Sequence, residues 1–209
     1  MLYNTPMRRN TRSNVLLGTI VVAALALLWW GNRGTNPGTP PANVDPSKLI
    51  GMNTGTAPWP PELVNLRDRL AAIGLPALHE EGNALHIHQH VDIFVDGNSL
   101  PVPAGIGTGP GFISPVHTHD PTGIIHVESP TVQTFTLGQF FDIWGVRFTT
   151  DCLGGYCTSA EKLLKVYVNG ILASGDPRQL ALEAHQEIAI VYGQAPVQIP
   201  SSYLFPDGD

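Results

Sequence analysis

Residues 85–95 read LHIHQHVDIFV and residues 124–129 read IIHVES. Both alternate with period two, the mark of a strand with two unlike faces. In the first, Ile87, Val91, Ile93 and Val95 fall on one face, and His86, His88, His90, Asp92 and Phe94 on the other. In the second, Ile125 and Val127 fall on one face, and His126 and Glu128 on the other. The pattern predicts two strands that turn aliphatic side chains to a core and imidazoles away from it. A third segment, HTHD at 117–120, repeats the His-x-His spacing just before the turn Pro121-Thr122-Gly123. Six of the eight histidines, His86, His88, His90, His117, His119 and His126, therefore lie within one stretch.

Outward from these strands, Asp96-Gly97-Asn98 is a hairpin signal, and Ser99–Ile106 returns as a short edge strand that tolerates Pro101 and Pro103. Thr136 is an N-cap for a helix that carries Leu137, Phe140, Phe141 and Trp144 on one face and stops at Gly145. Leu163–Val168 is a strand ending in the Asn169-Gly170 turn, and Glu187–Tyr192 is the last strand. The expected fold is α+β: a single small domain over 84–193 with a mixed β-sheet and one packed helix. Its element order resembles the β-grasp arrangement with an extra strand before the helix. That resemblance implies a fold and no function. Ahead of the domain, residues 62–75 read as a short amphipathic helix with Leu63, Leu66, Leu70 and Ile73 at helical spacing. Residues 194–209, with Pro196, Pro200 and Pro206, read as an irregular tail.

The N-terminus carries the topology. Arg8, Arg9 and Arg12 lie in residues 1–14, and VLLGTIVVAALALLWW opens the segment 15–31. This predicts one transmembrane helix with a cytoplasmic N-terminus and an extracytoplasmic domain, so a single-pass plasma-membrane protein whose membrane partner is reached through that helix. The competing reading is a signal peptide cleaved near Ala24-Leu25-Ala26, although that site lies inside the apolar run. Residues 32–61, rich in Pro, Gly, Thr and Asn, read as a flexible linker. The formal charge is −6 and no basic run follows the first dozen residues, so nucleic acid is not an expected partner.

The histidines carry the chemistry. Alternate residues on a strand lie roughly 6–7 Å apart, so neighbouring imidazoles can converge on one ion, whereas His86 and His90 stand about 13 Å apart. The expected ligand set is two of His86, His88 and His90, completed by members of His117, His119 and His126. Asp92, Asp120 and Glu128 are placed to orient the imidazoles or to join them. All-imidazole sites suit zinc or Cu(II). The only methionines, Met1, Met7 and Met52, lie outside the domain, which speaks against a thioether site for Cu(I). HExxH is absent, so no zincin is expected. Cys152 and Cys157 are the only cysteines and are expected to form a local disulfide outside the membrane. His79 is expected in an exposed linker and His185 as a lone cap or core residue. Three functions follow from this pattern: metal handling or sensing, a metalloenzyme using a metal-activated water, or a pH-responsive interaction module without metal.

Overall fold

The computed structural model describes residues 44–207 and Met1. The anchor expected at 15–31, the cytoplasmic start before it and the first part of the linker lie outside the described residues. Among the described residues, no helix is long and apolar enough to cross a membrane.

In chain order the elements are helix α1 (Leu66–Ala72), then strands β1 (Leu85–Val95), β2 (Asn98–Leu100), β3 (Thr108–Gly109), β4 (Phe112–Ile113), β5 (Val116–His117) and β6 (Ile124–Ser129). Helix α2 (Leu137–Trp144) follows, then β7 (Cys152–Leu153), β8 (Tyr156–Cys157), β9 (Leu164–Val168), β10 (Ile171–Leu172) and β11 (Glu187–Tyr192). The result is a small α+β domain with a mixed sheet and two α-helices. The expected return strand over 99–106 shortens to Asn98–Leu100, because Pro101 and Pro103 have no N–H for a ladder.

Strand β1 is the axis of the sheet. Its second half pairs in parallel with β11, from His90↔Glu187 to Val95↔Tyr192. On its other edge β6 pairs antiparallel with the first half, and β2 with the last three residues. The sheet continues through β11 to β9 and β10 on one side and through β6 to β5 on the other. The odd positions of β1 behave as their period requires: Val91 and Ile93 are buried in one core cluster with Ile125, Val127, Ile188 and Ile190. The same cluster takes Leu137, Phe140, Phe141, Ile143 and Trp144 from α2, every residue of which is buried.

Helix α2 is bounded as its sequence dictates. The Thr136 hydroxyl accepts from the Gln139 N–H, and the Gln139 side chain accepts from the Thr136 N–H, a capping box. Gly145 ends the helix at φ 82°, a left-handed conformation that a side chain would strain.

Residues 44–61 depart from the expected flexible linker, since they are packed on the domain. Trp59 is buried, edge-on to Trp144 and Tyr156, and its carbonyl accepts from the Trp144 indole. Asn53 donates to the Gly145 carbonyl and accepts from the Arg147 N–H. The physical reason is that a few large apolar anchors, Leu49 and Trp59 among them, suffice to dock an otherwise polar segment.

Candidate metal centre

The register of three strands builds the site. His88 faces His126 across β1 and β6, and His126 faces His117 across β6 and β5. Three imidazoles thus form one row across the sheet. In the next row His86 faces Glu128. The aliphatic pairs Ile87↔Val127 and Val116↔Val127 lock this register, because a slip by one residue would expose the core face and bury the imidazoles in its place. His119 follows two residues after His117 and closes over the row, its ring 4.4 Å from that of His126. His88, His117 and Glu128 are buried and form the base. The side chains of His86, His119 and Glu81 are 52, 46 and 48 % exposed and form a rim open to solvent.

The nitrogens come together in pairs. His86 Nε2 lies 3.2 Å from His88 Nε2, and His117 Nε2 lies 3.2 Å from His119 Nε2. Two nitrogens bound to one tetrahedral ion at ~2.0–2.1 Å stand roughly 3.3 Å apart, so each pair has the spacing of one edge of a coordination sphere. Glu128 stands between the pairs. Its Oε1 lies 3.1 Å from His86 Nε2, 4.0 Å from His88 Nε2 and 3.5 Å from His126 Nδ1. Its Oε2 lies 3.7 Å from His117 Nε2 and receives no hydrogen bond. The ligand atoms of His117, His119, His126 and Glu128 all lie within 4.8 Å of one another, as do those of His86, His88 and Glu128. The structure therefore contains buried His/Glu clusters with the geometry to hold a metal ion.

Protonation favours ligation. The Nδ1 of His117 lies 2.9 Å from the Ser114 carbonyl, which can only accept. Nδ1 therefore carries the proton, and Nε2 turns its lone pair toward His119. Burial, with the neighbouring His119, His126 and His88, lowers the His117 pKa to about 3. It is a neutral imidazole at any physiological pH, the form that binds metal. Burial raises the Glu128 carboxyl above its usual range, and the charge of Glu81 adds to that. Two carboxyl groups facing a cluster of imidazoles are a setting that a cation relieves.

His90 stands apart from these five histidines. Its Nδ1 is 2.8 Å from Glu187 Oε2 and its Nε2 is 2.8 Å from the Thr122 carbonyl. Tyr203 from the C-terminal tail stacks on its ring at 3.8 Å with planes 9° apart. Burial alone would lower its pKa, but Glu187, the Thr122 carbonyl and Asp92 outweigh it and the net shift is upward. His90, Asp92 and Glu187 make a third compact group of ligand-type atoms, on the same sheet face but beneath the tail. Gly123 permits that packing: a Cβ there would meet His90 Nε2 at 2.9 Å and the Val91 carbonyl at 2.7 Å. Asp120 caps its own turn by accepting from the Thr122 N–H and lies in neither histidine cluster. Cys152 and Cys157 pair across β7 and β8 as a disulfide. His79 is exposed, as is His185, whose ring lies 5.0 Å from Phe205.

Two residues of these groups escaped the sequence reading. Glu81 sits in a loop with no periodicity to place it. Glu187 opens the last strand, and only the parallel register brings it opposite His90. Comparison with protein-family models, with curated proteins and with solved structures found no match to this chain.

Proposed function

We propose that this chain is a membrane-anchored, extracytoplasmic metal-binding protein that takes up zinc or Cu(II) at its histidine cluster, in metal handling or sensing. The observation that carries this reading is the pair of 3.2 Å Nε2–Nε2 contacts, His86–His88 and His117–His119, arranged about the buried Glu128. The anchor and the extracytoplasmic location rest on the apolar run at 15–31 and on the basic residues before it. A disulfide between Cys152 and Cys157 fits an oxidising compartment. The parallel pairing of the first and last long strands beside a packed helix supports the β-grasp-like reading of the fold.

The exposed rim favours a second reading. A cluster with a buried base and solvent-facing His86 and His119 can keep a coordination position for water, the arrangement of catalytic rather than closed structural sites. A metalloenzyme on the same residues is then the alternative.

The test is metal analysis of the full-length chain purified in detergent, loaded with Zn(II) or Cu(II) and dialysed. At least one tightly held ion per chain is expected, with loss of uptake when His88→Ala and His119→Ala are combined. A chain that retains no ion at stoichiometric level sinks the proposal.

A further inference from the structure

We infer that the cluster is a dinuclear centre, in which the Glu128 carboxylate bridges two divalent transition-metal ions. His86 and His88 hold one ion, and His117, His119 and His126 hold the other. The inference rests on the metal-binding reading above and adds the number of ions and the role of Glu128.

Four observations carry it. Each His-x-His segment makes its own nitrogen pair at 3.2 Å, so there are two coordination edges rather than one. The ligand atoms gather into two compact sets, and Glu128 is the residue common to both. Its carboxylate reaches both sets, Oε1 at 3.1 Å from His86 Nε2 and 3.5 Å from His126 Nδ1, and Oε2 at 3.7 Å from His117 Nε2. Oε2 is buried and receives no hydrogen bond, an orphaned acceptor of the kind that folded proteins seldom leave without a donor or a cation. A single ion would satisfy one pair and one oxygen, and leave the other pair of nitrogens and the second oxygen facing each other. Two ions use both oxygens and both pairs.

The two positions are unequal. One would have three protein imidazoles and a carboxylate oxygen, enough to close a tetrahedral sphere. The other would have two imidazoles, one of them the exposed His86, and a carboxylate oxygen, which leaves a place for a water or a substrate oxygen. Ions held about 3.5–4 Å apart by a bridging group can stabilise the attacking and leaving oxygens of a displacement together. An oxygen-donor ligand, such as a phosphate or carboxylate, is therefore the class that the open position fits.

The experiment is a Zn(II) titration of the full-length chain in detergent, read by bound zinc per chain after gel filtration. Two zinc ions per chain are expected. His86→Ala and His119→Ala change exposed rim residues and preserve the core, so both variants should fold. Each should keep one tightly bound ion and lose or weaken the other, and Glu128→Gln should weaken both. One ion per chain in the parent, weakened alike by His86→Ala and His119→Ala, overturns the dinuclear assignment and leaves the metal-binding reading standing. No bound zinc overturns both.

Discussion

His88 and His90 stand two residues apart on the same face of β1, yet their surroundings set them to different tasks. His88 meets other imidazoles and a rim open to water. His90 has an acceptor on each nitrogen and an aromatic ring across its face, an arrangement that favours its protonated form and fixes its ring against Glu187 and the tail. Both partners of the His90–Glu187 pair are buried. Removing one member of such a pair strands the other, at a cost of about 3 kcal/mol. His90→Ala should therefore lower the urea midpoint of the domain while zinc uptake stays at the parent level. A His90→Ala chain that unfolds like the parent but loses an ion would place His90 among the ligands instead. The alternation of residues 85–95 made it legible that His86, His88 and His90 share a face. It did not show which of them lies under the tail, because Tyr203 belongs to an aperiodic segment. Nor did it separate Asp120, which caps a turn, from Glu128, which stands inside the cluster.

Among the elements, α2 was the most legible. Thr136, the apolar spacing and Gly145 each marked a boundary or a face, and the helix runs from Leu137 to Trp144. Its cap is a local device with a local cost. Thr136→Ala removes the hydroxyl that receives the Gln139 N–H, and should cost about 1 kcal/mol of stability. Urea unfolding of the variant measures this directly, and Thr136→Ser should recover most of the loss. Strands β1, β6, β9 and β11 were legible for the same reason, since each carries its own period or turn signal. Pairing was not legible. Antiparallel neighbours joined by a tight turn declare themselves in sequence, as Asp96-Gly97 and Asn169-Gly170 do. A parallel pair has no such mark, so the contact of His90 with Glu187 had no local signature.

At the scale of the whole molecule, Arg69 ties the docked N-terminal segment to the core. It is fully buried and donates to the carbonyls of Asp142 and Ile143 at the end of α2 and to that of Ile50. It also pairs with the Glu62 carboxylate. Burial would raise the Glu62 carboxyl, but the Arg69 contact outweighs it and holds the pKa below the usual value of 4.5. A carboxylate with a depressed pKa adds stability above its unfolded value and loses it as the pH falls through its folded value. Stability of the parent should therefore drop in acid, starting near pH 4.5, by more than that of Glu62→Gln. The two unfolding curves should differ most at neutral pH and converge in acid; a constant gap between them would show that the pair does not titrate on unfolding. Sequence composition concealed this docking, because a segment with two large apolar anchors averages out as a polar linker. The placement of β1 between β6 and β11 also bears on how the protein is made. Every candidate ligand of the cluster lies between Glu81 and Glu128, on β1, β5, β6 and the loops beside them, whereas the other edge of β1 waits for a strand from the end of the domain. Contacts between nearby parts of a chain close at lower entropic cost than distant ones. On a chain synthesised from its N-terminus, the half of the sheet that carries the candidate ligands is thus complete in sequence before its parallel neighbour exists.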